Sequence, residues 1–339
     1  MHHERNTEDV STADGRLGQR CVIGVELTGR GQRAVLASVD GTFLESAHVV
    51  GIGHDASEAI ETTFRLIETV WATPAGQQAF VVGIGVSFGG PVDVQRGVTI
   101  RSHRTLGFES FPIVGVLEDR YRKPAIVENS SRASGLGEYV RGAGRGARDM
   151  VYVHLGSGVG GALVINGILH HGVSQTSGEI GHMVVSTSLS DAPICSCGKP
   201  GHLEAYASER AVLERMRVEL DENATRSELA HWLASPGITL GRIFASTQSD
   251  IHAARIVEET GRVTGIAAAN LVTALNPDAV VIGGIVAETG PELISLVRTR
   301  IRQFAFDDAA RRLTVSAAQL GADAGMHGAL VLAADLGET

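Results

Sequence analysis

Cysteine and aromatic residues are both scarce in this chain: three cysteines, and 4% aromatics among 339 residues. Two of the cysteines, Cys195 and Cys197, are separated by one residue, a spacing that strains a mutual disulfide and favours a metal site. Cys21, opening a predicted strand, reads as a small buried hydrophobe. The scarcity of aromatics leaves an aliphatic core. No Lys/Arg block accompanies the 29 basic and 38 acidic side chains, which give a net charge of -9. A broad nucleic-acid surface needs clustered cations, so DNA is not expected as a direct partner. The first twenty residues, Met1 to Arg20, lack the apolar stretch of a signal peptide or membrane anchor. No later apolar run approaches the roughly 20 residues that span a bilayer. A cytoplasmic protein with a disordered tail over residues 1–20 is the expectation.

What the chain does have is length for two domains, 43% apolar residues and 42 glycines, a composition that suits an α/β nucleotide-binding protein. Two segments look alike. Val22–Gly31 continues through Ala34–Val39 to a turn at Asp40-Gly41, and Val151–Gly161 continues through Ala162–Ile165 to a turn at Asn166-Gly167. Each is a β-rich run, a glycine turn, a second β-rich run and a hairpin signal, which implies an internal duplication. Between them, Ile60, Phe64, Ile67 and Trp71 recur at helical spacing behind a capping-box-like Asp55 and Glu58. Val81–Ser87 reads as a buried strand, and Ile251–Leu275 as a long helix stopped by Pro277, with Gly261 and Gly265 as candidate break or kink points. Ala279–Ile282 reads as a short strand and Gly325–Leu336 as a last helix. Alternating strands and helices make the class α/β. No low-complexity linker separates the halves.

Gly156-Ser157-Gly158-Val159-Gly160-Gly161 follows a strand directly, so backbone N–H groups can approach phosphate oxygens while Ser157 adds a hydrogen bond. A tight hairpin is the alternative reading of the same residues. The strongest motif runs from Gly178-Glu179-Ile180-Gly181-His182 to Cys195-Ser196-Cys197-Gly198-Lys199-Pro200-Gly201-His202-Leu203-Glu204. Its donors, His182, Cys195, Cys197 and His202, are spaced His-x12-Cys-x-Cys-x4-His, a set able to surround Zn²⁺ tetrahedrally in a closed structural site. Reduced structural cysteines beside two surface histidines are the alternative.

Taken in order, the N-terminal glycine turn, the Gly156 turn and Val280-Val281-Ile282-Gly283-Gly284 resemble the phosphate-1, phosphate-2 and adenosine motifs of actin-like ATPases and sugar kinases. The Gly178–Glu204 element resembles that of the ROK (repressor, open reading frame, kinase) family, with His202 where a third cysteine is usual. The resemblance covers about residues 21–336. It implies a two-lobed, duplicated ribonuclease H-like α/β fold with an interdomain cleft. The expected N-terminal lobe is 21–127 plus a C-terminal helix within about 325–339, and the C-terminal lobe is 128–324 with a zinc element at 182–202. Nucleotide contacts are implied for Gly156, Ser157, Gly158, Gly283 and Gly284 and for the turn Glu26-Leu27-Thr28-Gly29-Arg30. There Glu26 would hold Mg²⁺, and Arg30 replaces the usual threonine. Sugar hydroxyls would be bound by Asn129, Glu179, His182 and Glu204, with His182 bridging metal and sugar. Glu204 also reads as a solvated helix-start acid. Asp93 and the run containing His103 and Thr105 fall where relatives place loops over the sugar, with Thr105 where many carry asparagine.

One residue departs from the kinase pattern at the chemistry itself. The family's Glu-Asn-Asp is here Glu128-Asn129-Ser130, and a serine hydroxyl has no basicity near neutral pH. A general base contributes typically ~10²–10⁴-fold, although positioning and Mg²⁺ carry much of phosphoryl transfer. Glu128 is the nearest substitute carboxylate, though adjacent strand residues point to opposite faces. Ser130 alternatively reads as a helix N-cap. The resemblance implies a zinc-containing, sugar-binding protein of ATP-dependent sugar-kinase ancestry with weak or absent phosphotransfer, in a homodimer or homotetramer. The alternatives are an active kinase for a hexose, amino sugar or cyclitol, and a regulator that signals sugar to a partner protein. A ROK repressor would need a helix-turn-helix domain ahead of residue 21, for which twenty residues are too few.

Overall fold

In the computed structural model the described residues are 10–11, 17–102, 104–223, 227, 229–230 and 237–337. They divide into two units: 1–141 with 171–176 and 323–339, and 142–170 with 177–322. The first unit opens with β1 (Val10–Ser11) beside β2 (Leu17–Thr28), followed by β3 (Gly31–Ser38), β4 (Phe43–Val50), α1 (Ala56–Trp71), α2 (Pro74–Gln78) and β5 (Ala79–Phe88). The short hairpin β6 (Val92–Asp93) and β7 (Val98–Thr99), α3 (Ile113–Tyr121), β8 (Ala125–Asn129) and α4 (Ser130–Arg141) complete its first stretch. The strand expected to open at Cys21 begins at Leu17 and pairs with Val10–Ser11, so part of the expected tail is in the sheet; residues 1–9 and 12–16 lie outside the described ones.

The second unit carries β9 (Met150–Leu155), β10 (Val159–Ile165), β11 (Ile168–Leu169), α5 (Glu204–Ala207), α6 (Glu209–Asn223), α7 (Leu240–Ala245) and α8 (Ile251–Leu275). It ends with β12 (Ala279–Gly283), α9 (Ile285–Thr289), α10 (Glu292–Phe304), α11 (Asp307–Arg311) and β13 (Thr314–Ala317). The C-terminal α12 (Ala324–Leu336) returns to the first unit.

The main-sheet orders are β4-β3-β2-β5-β8 and β11-β10-β9-β12-β13. In each, the first three strands form an antiparallel meander and the last two add in parallel. The same order and the same change of direction, in two stretches whose glycine turns already matched, make this the duplicated ribonuclease H-like arrangement. The unit boundary falls at Arg141, not near Val127, because β8 hydrogen-bonds to β5 and α4 packs on α12.

Side-chain alternation along β2 divides the first core. Cys21, Ile23, Val25 and Leu27 pack with Ile60, Phe64 and Ile67 of α1 and with Ile113 and Leu117 of α3. Asp55 caps α1 by accepting from the Glu58 N–H, while Glu58 reaches back to the His54 N–H at 2.8 Å. On the opposite face Val22, Val35 and Ala37 pack with Met326 and Leu330, and glycines let α12 come close. A Cβ on Gly85 would lie 1.9 Å from Ala329 O and one on Gly83 2.6 Å from Ala333 O, so α12 lies with its backbone nearly on the sheet. A Cβ on Gly137 would meet Ala324 O at 2.3 Å, and one on Gly328 would meet Ala133 O at 1.8 Å, so α4 is equally close.

Gly261 and Gly265 do not break α8, which runs unbroken for 25 residues and ends at Asn276 in the left-handed conformation. They face α10: their Cβ positions would fall 2.7 Å from Leu296 Cβ and 2.3 Å from Arg300 Cβ. Close helix approach, not flexibility, accounts for them.

Gly328→Ala gains helix propensity of about 1 kcal/mol but should lower stability overall by roughly 1–3 kcal/mol, since the methyl meets backbone. Gly115→Ala in α3, whose new methyl meets nothing within 4 Å, should stabilise by about 0.5–1 kcal/mol. Thermal melts of both variants check this; a Gly328→Ala protein as stable as the native chain would contradict the close-packed interface.

Candidate functional site

In the first unit, β8 delivers Glu128 and Asn129 to the start of α4. The Asn129 side-chain oxygen accepts from the N–H groups of Ser131 (3.0 Å) and Arg132 (3.2 Å), and its amide donates to Gly90 O at 3.0 Å. Asn129 is therefore the cap, and Ser130, read as a possible cap, is the first helical residue. These bonds compete with the sugar contact expected of Asn129.

Glu128 is fully buried. Its carboxylate accepts from Arg132 Nε (2.7 Å) and from the Asn129 N–H (2.7 Å), and its other oxygen lies 2.6 Å from His171 Nε2. A carboxylate engaged by three partners has little capacity left to accept a substrate proton, which weighs against Glu128 as substitute base. Arg132, 2% exposed, also donates to Gln175 O at 2.8 Å. The segment 171–176 is thereby held to the first unit although its flanking residues belong to the second. Sequence reasoning missed Arg132 and His171. The four-residue spacing of Glu128 and Arg132 at a helix start was the available signal for one of them; His171 carried none.

The phosphate-1 turn departs further from expectation. Glu26 packs beside Gly325, whose Cβ would lie 2.7 Å from its carboxylate and 3.2 Å from Ser87 Oγ. Burial pushes the Glu26 carboxyl up to about 7, opposed by Arg33 and reinforced by Asp323. Thr28 Oγ1 accepts the Arg30 N–H at 3.4 Å. Over Gly29 lies Arg104, its Nη1 1.4 Å from where a Cβ would stand, so a guanidinium from the 102–108 loop covers the turn. His103 lies outside the described residues, and Thr105 is 2% exposed with its hydroxyl unpartnered. Asp93 accepts the Arg96 N–H at 3.1 Å within its own loop.

In the second unit the Gly156 N–H closes the turn on Gly158 O at 2.9 Å, and the Val159 N–H is taken by Glu204 at 3.2 Å. Gly283 and Gly284 follow β12. A Cβ on Gly283 would meet Tyr152 Oη at 2.7 Å, and one on Gly284, at φ +89, would meet Leu155 O at 2.6 Å. Packing against β9 thus requires both glycines, whatever else they contact.

The Cys/His element closes as its spacing predicts. The donor atoms of His182, Cys195, Cys197 and His202 all lie within 4.8 Å of one another. His182 Nδ1 is 3.3 Å from His202 Nδ1 and 3.6 Å from Cys195 Sγ, and Cys197 Sγ is 3.3 Å from His202 Nδ1. Three of the six donor–donor distances thus match the roughly 3.3–3.8 Å edges of a tetrahedron with Zn–N near 2.0 Å and Zn–S near 2.3 Å, and the donor set suits a metal of that kind. Burial lowers the His202 pKa, favouring the neutral ligating form, and raises the Cys195 thiol to about 11, so a bound cation would be what holds it as thiolate. Glu179 lies 3.7 Å from the outer nitrogen of His182. Glu204 accepts from Ser196 and lies 3.4 Å from Cys195 Sγ. Burial works to raise the Glu204 pKa, but its bonds from Ser196, the Val159 N–H and Cys195 outweigh burial and hold it below the ordinary carboxylate value. Glu204 is a linked residue, not a solvated one.

A family model described as the ROK family matches residues 22–336. The chain belongs to the ROK family. It is 31% identical over 315 residues to a glucokinase of Halalkalibacterium halodurans, covering 92% of this chain and 94% of that one. It is 26% identical over 287 residues to a xylose repressor of Caldicellulosiruptor bescii, covering 84% of this chain and 71% of that one. Among solved structures it matches a ROK family glucokinase from Streptomyces griseus in complex with glucose and AMPPNP, with TM-score 0.77 and 27% identity over 93% of this chain and 99% of that one. Sugar-kinase ancestry follows. No helix among the described residues is long and apolar enough to cross a membrane.

Folded Glu26 keeps its proton to about 7 whereas an unfolded glutamate releases it near 4.5, so stability should fall as pH rises through that window. Glu26→Gln, neutral throughout, should match the native chain at low pH and exceed it by up to about 3 kcal/mol above neutrality. Melting curves of the two proteins that stay parallel from acid to neutral pH would mean that Glu26 is not desolvated.

Proposed function

We propose that this ROK protein binds a sugar or sugar-like polyol and transfers phosphate to it slowly or not at all. The observation that carries the reading is the pair of facts at the end of β8: Ser130 stands where the kinases carry the base, and Glu128 is occupied by Arg132, His171 and the Asn129 N–H. The covered turn at Gly29 supports it, because a guanidinium and Arg30 replace the usual glycine-threonine surface. Asn129, Glu179, His182 and Glu204 are the residues proposed for sugar hydroxyls. Zn²⁺ is the metal proposed for His182, Cys195, Cys197 and His202; it would brace Glu204 and His182 and take no part in chemistry. ATP with Mg²⁺ is the proposed nucleotide for the Gly156–Gly158 turn and Gly283–Gly284.

A second reading, an active kinase for a hexose, amino sugar or cyclitol, is favoured by the similarity to glucokinases along nearly the whole chain. An ADP-release assay over hexoses, amino sugars and cyclitols, run on the native protein and Ser130→Asp, separates the two. The expected outcome is no native turnover at kinase-like rates, about 1 s⁻¹ or more, and a gain of roughly ten-fold or more in the variant. Native turnover at an ordinary rate on any of these substrates would establish the second reading.

Elemental analysis should find one zinc per chain, lost in Cys195→Ala. Chelation should lower the melting temperature and weaken sugar binding, since Glu204 and His182 both border the metal. Metal-free protein with unchanged melting and sugar affinity would remove zinc from the account.

A further inference from the structure

His154 occupies a position on β9 that no motif explains. Its direct partners across the sheet are Gly160 on β10 and Gly283 on β12. Residues paired this way project from the same face, so the imidazole is flanked on both sides by strands without side chains. Tyr152, two residues earlier on the same face, places its hydroxyl 3.0 Å from His154 Nδ1. That contact occupies one nitrogen and turns the other towards the glycine turn: Nε2 lies 2.7 Å from where a Gly156 Cβ would stand. A Tyr152 hydroxyl that donates to Nδ1 leaves the ring proton on Nε2, the nitrogen beside Gly156.

Charge on the other flank of the turn gives this donor a purpose. Glu204 Oε2 binds the Val159 N–H and lies 2.8 Å from the Cβ position of Gly158, so a carboxylate borders the turn and repels an anion. A phosphate held there gains from an N–H donor that offsets this charge, and His154 Nε2, beside Gly156, is placed to supply it.

We propose that His154 is a phosphate-binding residue, its Nε2–H donating to a phosphate oxygen of a nucleoside di- or triphosphate at the Gly156–Gly158 turn, with Tyr152 as the positioning residue that fixes the tautomer. The proposal rests on the reading of this turn as a nucleotide site, and extends it to a residue outside the glycine motif. A hydrogen bond to a charged oxygen is worth enough that its loss should weaken binding roughly ten-fold or more.

The test is calorimetry on the full chain with AMPPNP, ADP and adenosine, each with Mg²⁺, for the native protein, His154→Ala and Tyr152→Phe. AMPPNP and ADP should bind about ten-fold or more weakly to His154→Ala and more modestly weakly to Tyr152→Phe, while adenosine binds all three alike. Long-range ¹H–¹⁵N spectra of the native protein supply a readout independent of the variants, because AMPPNP should shift the His154 Nε2 resonance and adenosine should not. Unchanged AMPPNP affinity in His154→Ala, an equal loss for adenosine, a silent His154 resonance, or a native protein that binds sugar but no AMPPNP would each overturn the proposal. The last result would leave the sugar-binding reading standing. Conversely, His154-dependent AMPPNP binding with kinase-like turnover would keep this proposal and remove slow transfer.

Discussion

Backbone-to-backbone packing of α12 is the constraint on which the first unit depends. The last helix of the chain must lie on a sheet built from the first, and it can do so only because Gly83 and Gly85 present no side chain to the carbonyls of Ala333 and Ala329. Gly328 and Gly137 allow α4 the same approach. Because α4 begins at Ser130, that residue's helix is fixed by residues almost two hundred positions away in sequence. Such contacts trade helix propensity and backbone entropy for dispersion between closely apposed surfaces. They also bring Gly325 against Glu26, a half-buried carboxyl that desolvation pushes up to about 7.

A second constraint is the buried charge at Glu128. A carboxylate without exposure needs compensating partners, and it has them in Arg132 and His171. The pairing explains two observations together: the segment 171–176 belongs with the first unit, and the carboxylate two residues before Ser130 is already engaged by three partners. Glu128 is instead committed to holding the 171–176 segment.

In the second unit the Cys/His cluster and the glycine turn are one connected system. Glu204 touches Ser196 and Cys195 on one side and the Val159 N–H on the other. Metal binding at the four donors would therefore stiffen a residue that borders the turn, and the two motifs that sequence treats as separate features share a side chain. His154 borders the same turn at Gly156.

The sequence by itself determined the class, the duplication, the family and the membership of the Cys/His cluster. Those follow from local periodicity and short spacings, such as the strand-turn-strand runs after Val22 and Val151 and the His-x12-Cys-x-Cys-x4-His pattern, which survive in one dimension. It also located the departure at Ser130, because a missing functional group is visible in the residue letter alone. Tertiary structure decided what those residues touch. Asn129 rather than Ser130 caps α4, Gly261 and Gly265 admit α10 instead of breaking α8, the unit boundary falls at Arg141, and Arg104 covers Gly29. Each depends on which distant chain segment arrives at a given glycine, carboxylate or turn, and that is settled by three-dimensional packing, on which local propensity is silent.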